Sequence, residues 1–244
     1  MIRKAVILNS GTGSRMGSLT ADQPKCLVEV AENETILQRQ LEALENLGFR
    51  EVLITTGPFE EKIKEHLAGK FSGFELTYVN NPRYAETNYI YSLLLAGPII
   101  EQDILLLHGD LVFEEAVLEK ILCSEHDNAV LVNPFVKLPD KDFKAEVENG
   151  RVRKIGIDLF SRQSVFLVPI YKLSRETFSS WLKEMKAFQE KGRLKVYAEN
   201  ALNNLLGELT LHPVEFKDEF CTEIDDLEDY EKVKAYLAGP RRNH

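Results

Sequence analysis

The sequence predicts an α/β protein built on a single doubly wound, mostly parallel mixed sheet. Short β-branched runs alternate with amphipathic segments up to residue 127, a rhythm typical of a parallel sheet covered by helices on both faces. Beyond residue 128 the segment "FKAEVENGRVRKIGID" places Asn-Gly between two alternating runs, which predicts a β-hairpin. No linker, repeat or low-complexity stretch interrupts the chain. We therefore expect one domain over residues 1–240, with halves at 1–127 and 128–240.

The first half contains alternating predicted strands and helices. The run "KAVILNS" predicts a buried strand closed by glycine, and "TILQRQLEALENLGF" has helical spacing of its apolar residues up to Gly48. The remaining segments are, in order, strand "EVLITTG", helix "FEEKIKEHLAG", strand "FELTYVNNP", helix "NYIYSLLLAG", strand "DILLLHGD" and helix "EEAVLEKILCS". Their order predicts the parallel part of the sheet.

The second half mixes strands with longer helices. The predicted strands are "NAVLVN", the two hairpin arms, "SVFLVPIYKL" and "LTLHPVEF". The predicted helices are "SRETFSSWLKEMKAFQEKG", "AENALNNLLGE" and "DLEDYEKVKAYLAG", and Ser174 is a suitable N-cap for the first of them. The lone Trp181 falls on the apolar stripe of that helix, so we expect it in the core. The tail "PRRNH" is expected to fray.

Composition excludes several classes of function. The net charge of −9 argues against a general nucleic-acid binder, because affinity for a phosphate backbone needs a basic face. The three cysteines are far apart and form neither a disulfide framework nor a zinc motif. We find no signal-peptide pattern and no apolar run long enough to span a bilayer. We therefore expect a cytoplasmic protein without a membrane partner.

A glycine-rich loop follows the first predicted strand. Gly11, Gly13 and Gly17 have the spacing G-x-G-x-x-x-G, which fits neither the dinucleotide fingerprint nor the P-loop. Arg15 and Lys25 follow within a short stretch, the latter in Pro-Lys. Free backbone N–H groups in such a loop bind anions, and cations strengthen that binding. A plain strand-to-helix connection with solvated cations is the alternative, and the joint pattern favours a phosphate site.

The stretch "ILNSGTGSRMGSLTADQPKCLVEV" resembles the signature of the nucleotidyltransferases that make activated sugars and alcohols. More narrowly, the chain is similar to bacterial choline-phosphate cytidylyltransferases and their aminoethylphosphonate-using relatives. That closer similarity is carried by "NPRYAETNYIYSLLLA", "LLLHGDLVF" and "EIDDLEDYEKV". The resemblance implies a Rossmann-like nucleotidyltransferase fold, with a nucleotide-binding first half and an acceptor-binding second half. The sequence departs from the family signature at Asn9, because the family has two small residues directly before the glycine loop. Ser10, the second of these positions, fits the signature.

The resemblance also implies a nucleotide site. The phosphates of CTP would lie against the loop, and Lys25 would neutralise charge at the α-phosphate. The base would lie near residues that follow the third strand, where Asn88 is equally suited to cap a helix. The implied nucleotide-binding residues are Ser10, Gly11, Thr12, Gly13, Arg15, Lys25, Thr87, Asn88 and Ser92.

Two carboxylates are implied as ligands of Mg²⁺, an ion that prefers one or two carboxylates besides waters and phosphates. Asp110 ends the strand "ILLLHGD" at the edge where ligands bind in such sheets. The segment "EIDD" supplies Glu223, Asp225 and Asp226, of which the resemblance selects Asp225. We expect Asp226 to cap the last helix.

The acceptor side is implied by fewer residues. The resemblance assigns Lys144 to the incoming phosphate, where a solvated strand lysine is the alternative. It assigns Glu199 to the acceptor, where a glutamate favoured by a helix dipole explains the residue equally well. His66 and His108 are expected to be structural. An aromatic cage for a quaternary ammonium would draw on Tyr84, Tyr89, Phe166, Tyr171 and Tyr197.

The resemblance as a whole implies a Mg²⁺-dependent cytidylyltransferase. It would join CTP to a small phosphorylated or phosphonate acceptor of the phosphocholine kind and release pyrophosphate, with Arg15, Lys25 and Lys144 as the catalytic cations. A sugar-phosphate or inositol-phosphate nucleotidyltransferase that uses CTP, UTP or dTTP is one alternative. A catalytically silent nucleotide-sensing regulatory subunit is another, since fold alone does not guarantee activity. A NAD-binding module is the weakest, because the glycine spacing is wrong for it.

Overall fold

The computed structural model describes residues 2–239, and the tail predicted to fray, residues 240–244, lies outside them. The strands are β1 Lys4–Leu8, β2 Glu29–Ala31, β3 Glu34–Thr35, β4 Glu51–Thr56, β5 Glu75–Asn80, β6 Ile104–His108, β7 Leu111–Phe113, β8 Ala129–Asn133, β9 Lys144–Glu148, β10 Arg151–Gly156, β11 Ser164–Leu173, β12 His212–Glu215 and β13 Cys221–Glu223. The α-helices are α1 Ile36–Asn46, α2 Glu60–Leu67, α3 Tyr89–Ala96, α4 Glu115–Cys123, α5 Arg175–Glu190, α6 Glu199–Leu202 and α7 Leu227–Ala238. Short 3₁₀ helices lie at Ser14–Thr20, Lys25–Leu27 and Gly97–Ile99. In residues 2–239 no helix has both the length and the apolar character of a membrane span.

One mixed sheet organises the fold. Its order is β10-β9-β11-β6-β1-β4-β5, with β8 paired to β11 and β12 paired to β8. β1 runs parallel to β4 and β6, and β4 runs parallel to β5. β11 is antiparallel to β6, β8 and β9. The predicted architecture, a parallel first half joined to a mixed second half, is confirmed.

Helices cover both faces of this sheet, as a doubly wound fold requires. Successive strand residues point to opposite faces, so Val6 belongs to one apolar cluster and Ile7 to another. The first cluster includes Leu93 of α3 and Trp181 of α5, and the second includes Leu41 of α1. Trp181 is fully buried, which confirms its predicted core position. The central strands β1, β4 and β6 are therefore buried on both faces, and they are accessible only at their ends.

Local sequence signals account for several element boundaries. Asn149 and Gly150 have φ values of 51° and 70° and join β9 to β10, as expected for an Asn-Gly hairpin turn. Ser174 caps α5, because its side chain accepts a hydrogen bond of 3.2 Å from the Thr177 N–H. Gly48 follows α1 with a φ of 82°, a left-handed conformation that glycine adopts without strain.

The structure differs from the sequence-based prediction in its short elements. The predicted helix "AENALNNLLGE" is helical only at α6, four residues long, and continues as turns. The strands β2, β3, β7 and β13 were not predicted, because two or three residues are too few to show a period. β13 pairs with β7 and sets Glu223 opposite Leu111. This short ladder brings the C-terminal carboxylates to the end of β6.

Candidate active site

A cavity of about 420 Å³ opens where the parallel strands end. β1, β4, β5 and β6 are parallel, so the segments after them meet at one edge of the sheet. The loop after β1 and the Gly109-Asp110 turn after β6 both line the cavity. This is the edge at which open α/β sheets bind ligands.

The glycine loop forms one wall. Among the described residues, the N–H groups of Gly11, Thr12 and Gly13 donate to no protein acceptor. Gly13 has a φ of 66°, and a Cβ there would lie 3.1 Å from the Lys25 Cβ. Thr20 also donates a 2.8 Å hydrogen bond to the Gly13 carbonyl. The loop is thus held against the Lys25 segment with its amides free for an anion.

Two cations and two carboxylates meet beside that loop. Lys25 Nζ lies 2.7 Å from Asp110 Oδ2 and 3.3 Å from Asp225 Oδ1, and it donates to the Ile224 carbonyl at 2.7 Å. Arg15 lies 2.9 Å from the same Asp225 oxygen. The predicted residues Arg15, Lys25, Asp110 and Asp225 therefore lie together although up to 210 positions separate them.

The β7–β13 ladder explains this convergence. The Ile224 N–H donates to the Asp110 carbonyl at 3.0 Å, so the chain passes directly beside the turn after β6. Asp226 then caps α7, because its Oδ1 accepts hydrogen bonds from the N–H groups of Glu228 and Asp229. The predicted division of labour, in which Asp225 faces the site and Asp226 caps the helix, agrees with this geometry.

Burial and charge shift the pKa values of these groups in opposite directions. Burial opposes the charge of Lys25, but the Asp110, Asp225 and Glu223 carboxylates together outweigh it and raise the pKa of the lysine. Burial likewise opposes ionisation of Asp110, but the Lys25 ammonium, together with His108 and hydrogen bonds, lowers its pKa below the usual range. Glu223 lies 3.6 Å from His108 Nδ1, and its burial beside Asp110 and Asp225 raises its pKa well above the usual range.

The surplus carboxylate oxygens suit a divalent cation. Asp110 Oδ1 and Glu223 Oε1 are buried without a hydrogen-bond partner among the described residues. Possible ligand atoms of His108, Asp110 and Glu223 lie within 4.8 Å of one another, as do those of Asp142, Glu223 and Asp225. Oxygen-rich sites of this kind match the preference of hard cations such as Mg²⁺. Both carboxylates predicted as metal ligands belong to these groups.

The segment after β5 forms a second wall. Asn88 lines the cavity, and its side chain accepts a 2.7 Å hydrogen bond from the Tyr89 N–H as the N-cap of α3. Thr87 also lines the cavity. Ser92 does not, because it is fully buried and accepts a 3.1 Å hydrogen bond from Asn81. Asn81, which belongs to the Asn-Asn-Pro sequence after β5, also donates to Thr87 at 3.2 Å. Its two hydrogen bonds therefore hold Thr87 and Ser92 in place behind this wall.

Aromatic side chains form a further part of the cavity wall. The ring centroids of Tyr89 and His108 are 4.8 Å apart, and those of Phe143 and Tyr197 are 5.0 Å apart. The Tyr89 and Tyr197 centroids are separated by 6.1 Å. Of the five aromatic residues considered from sequence, those on the cavity wall are Tyr84, Tyr89 and Tyr197. Asp142 joins them and faces Glu223 and Asp225.

Two residues predicted on the acceptor side do not line the cavity. Lys144 is fully buried, and its ammonium donates to the carbonyls of Asp140 and Ile157, so its pKa is lowered by burial. Glu199 is also buried and accepts hydrogen bonds from two tyrosine hydroxyls. In this arrangement neither side chain lines the cavity, and the contacts of Lys144 and Glu199 with the acceptor stay predictions.

Several cavity residues were not selected from sequence. Glu223 and His108 lie beside predicted residues, and the ladder that orients Glu223 is too short to be recognised in advance. Asp142 and Phe143 belong to the connection 134–143, which has no periodic pattern. Of these residues, only Asn81 could have been predicted from sequence, because it is a polar residue at the carboxyl end of a predicted parallel strand.

Comparison with known proteins agrees with this geometry. CMP-5′-(3-aminopropyl)phosphonate synthase of Streptomyces rubellomurinus is 39% identical over 127 residues, which are 52% of this chain and 20% of that protein. CTP:phosphoglutamine cytidylyltransferase of Campylobacter jejuni is 29% identical over 158 residues, 62% of this chain and 61% of that protein. The chain thus spans less than two thirds of the length of these curated relatives.

A solved structure extends the similarity to the whole fold. The CTP:phosphocholine cytidylyltransferase of Streptococcus pneumoniae matches with a TM-score of 0.78 and 21% identity, over 97% of this chain and 100% of that chain. At this identity the match shows a shared fold. The family model of the MobA-like NTP transferase domain matches residues 5–240. The resemblance seen in the signature loop is confirmed, and the chain belongs to the MobA-like NTP transferase family.

Proposed function

We propose that this protein is a cytidylyltransferase. It transfers the CMP group of CTP to a phosphate or phosphonate oxygen of a small acceptor and releases pyrophosphate. One observation carries this proposal: the free amides of the glycine loop, Arg15, Lys25, Asp110 and Asp225 all face one cavity. Anion-binding amides and cations beside a carboxylate pair are what transfer of a nucleotidyl group requires.

The reaction needs positioning and charge neutralisation more than proton transfer. An acceptor oxyanion attacks the α-phosphorus, and the bond from that phosphorus to the pyrophosphate oxygen breaks. Because the acceptor is already an anion, no general base is needed. We assign the departing pyrophosphate to the loop amides and Arg15, and the charge at the reacting phosphorus to Lys25.

A divalent cation, which we propose to be Mg²⁺, fits the carboxylates Asp110 and Asp225. When bound there it supplies Lewis-acid stabilisation of phosphate charge. Lys25 and Arg15 form ion pairs with the same carboxylates, and a bound triphosphate would give both cations another anion to contact.

The nucleotide and the acceptor are proposed from different features. CTP is favoured because the names of two relatives state it as the substrate of those proteins. An acceptor that carries a cationic amine is favoured by the aromatic rings of Tyr89 and Tyr197 together with the Asp142 and Glu223 carboxylates at one end of the cavity. Aromatic faces and carboxylates both attract ammonium groups.

The experiment is a pyrophosphate-release assay with each of the four NTPs and a panel of acceptors. The panel contains phosphocholine, 2-aminoethylphosphonate, inositol 1-phosphate and glucose 1-phosphate, each with Mg²⁺ and with EDTA. Metal-dependent turnover confined to CTP, with kcat/KM highest for an amine-bearing acceptor and lower but measurable for inositol 1-phosphate, is the expected result. Turnover with UTP or dTTP and a sugar phosphate would contradict the assignment of CTP and of the acceptor class. CTP binding without turnover would favour the regulatory alternative.

A further inference from the structure

We propose that Glu199 is a positioning residue that selects cationic acceptors from behind the aromatic wall of the cavity. Its carboxylate orients Tyr89 by accepting the hydrogen bond of the phenol hydroxyl, and it places a negative charge beyond that hydroxyl, at the edge of the ring that the acceptor meets. This role rests on the proposed function, since it concerns the acceptor of the same reaction.

The Glu199 carboxylate is held on more than one side. Glu199 is 1% exposed and begins α6. Its Oε2 accepts a hydrogen bond from the Tyr89 hydroxyl, and its Oε1 accepts one of 3.0 Å from the Tyr171 hydroxyl. The Trp181 indole N–H donates to the carbonyl of Ala198 at 2.9 Å, which fixes the backbone immediately before Glu199. The position of the carboxylate is therefore set by hydrogen bonds from two buried aromatic residues, Tyr171 and Trp181, and from the partly buried Tyr89.

The environment of Glu199 is unusual for an acidic side chain. Within residues 2–239 it forms no ion pair with a lysine, arginine or histidine. Burying a carboxylate away from any cation is costly, so such groups are rare without a function. Both of its oxygens accept hydrogen bonds from phenol hydroxyls. Burial, with the nearby Glu199, raises the pKa of Tyr89 and Tyr171 well above the usual range, so both phenols remain donors.

Tyr89 connects this buried charge to the cavity. Its hydroxyl is bonded to Glu199, while its ring lies on the cavity wall against His108 and Tyr197. The face of an aromatic ring is already electronegative, and a carboxylate that accepts the hydrogen bond of the ring's hydroxyl makes the ring more electron-rich. Asp142 and Glu223 face the same end of the cavity. An ammonium group placed between the Tyr89 ring and these carboxyl groups is attracted by both, whereas an uncharged acceptor is not.

The test compares wild-type protein with Glu199→Gln, which preserves the shape and hydrogen bonds of the side chain but removes its charge. Tyr171→Phe is the matched control, because it removes one hydrogen bond to Glu199 from outside the cavity and leaves the charge. Steady-state constants are measured for CTP, for phosphocholine and for inositol 1-phosphate, whose ring carries no cation. Circular dichroism checks that each variant folds.

We expect Glu199→Gln to raise KM for phosphocholine about tenfold, the scale of one desolvated cation–π contact. KM for CTP, KM for inositol 1-phosphate and kcat should stay within about twofold of wild type, and Tyr171→Phe should change the phosphocholine KM by less than about threefold. An equal loss with both acceptors, or no loss with either, would overturn the proposal. If wild-type protein turns over no acceptor, the proposed function fails instead. Calorimetric binding of phosphocholine to wild type and Glu199→Gln then decides the role of Glu199 separately.

Discussion

The two ends of the cavity are built in different ways. At the end that we propose to bind the nucleotide, backbone amides and charged groups lie directly after strands of the parallel sheet, as Asp110 does after β6. At the end that we propose to bind the acceptor, Tyr89 comes from α3, Asp142 from the connection 134–143 and Tyr197 from the segment before α6. The nucleotide end is therefore fixed by the topology of the sheet. The acceptor end depends on how separate segments pack, which leaves it freer to vary with the substrate.

The strongest test of the nucleotide end is Asp110→Asn. It removes one negative charge from the group that pairs with Lys25 and contributes the unpartnered Oδ1. We expect kcat to fall at least about 100-fold, because a preorganised electrostatic contact at a reacting phosphate is lost. Pyrophosphate release measures the effect.

The matched control is Asp226→Asn. Asparagine is also a good N-cap, so the α7 cap contacts of Asp226 should persist and kcat should remain close to wild type. Full metal-dependent turnover in Asp110→Asn would show that this carboxylate is not part of the reaction centre.

Lys25→Met separates metal binding from turnover. Lys25 bridges Asp110 and Asp225 at 2.7 and 3.3 Å, so a cation must displace its ammonium from them. We expect turnover to fall by about 100-fold, while Mn²⁺ binds the nucleotide-free variant several-fold more tightly than wild type, an electrostatic gain of order 1 kcal/mol. Electron paramagnetic resonance of free Mn²⁺ measures that affinity without any reaction.

Lys120→Met is the control for this comparison. Lys120 forms a surface ion pair of 2.9 Å with Glu219 and does not line the cavity. Its removal should leave Mn²⁺ affinity unchanged. Weaker Mn²⁺ binding in Lys25→Met would mean that the lysine supports the metal site rather than competing for it.

The same contrast explains what the sequence could predict. Arg15, Lys25 and Asp110 were identifiable because each lies in a short motif beside a recognisable strand. The layered fold was identifiable because strand and helix periods alternate over long stretches. Asp226 was assigned as a cap because an acidic residue directly precedes an amphipathic helix. Each of these predictions depends only on residues close together in the sequence, and the local structure they indicate is the one found in the fold.

The acceptor end had no comparable local signal. "DFKAEV" gives the alternation of a strand but not the direction in which Lys144 points, and its ammonium is taken up by two backbone carbonyls. Glu223 reaches the site through pairing between β13 and β7, two three-residue strands more than 100 positions apart. Long-range pairing of such short strands depends on the surrounding core, which a single sequence does not display.

Asp142→Asn tests the acceptor end directly and should have a moderate effect. Asp142 lies near Glu223 and Asp225, and burial together with the Asp225 and Asp229 carboxylates raises its pKa. We expect KM for phosphocholine to rise by about threefold to tenfold, because one partly screened charge is lost. KM for CTP should not change. Asp140→Asn, an exposed aspartate in the same connection, is the control and should match wild type. An increase in KM for CTP alone would show that Asp142 contributes to nucleotide binding and not to acceptor binding.

The smallest expected effects test whether the two halves fold together. Thr35 caps α1 in the first half through a capping box with Gln38, and Ser174 caps α5 in the second half. Thr35→Ala and Ser174→Ala should each lower the free energy of unfolding by about 1 kcal/mol and the melting temperature by about 2–4 °C. Because β11 of the second half pairs with β6 of the first, we expect each variant to shift one common calorimetric transition. A separate transition that moves only with Ser174→Ala would divide the chain into two domains, and the cavity would then lie at their boundary.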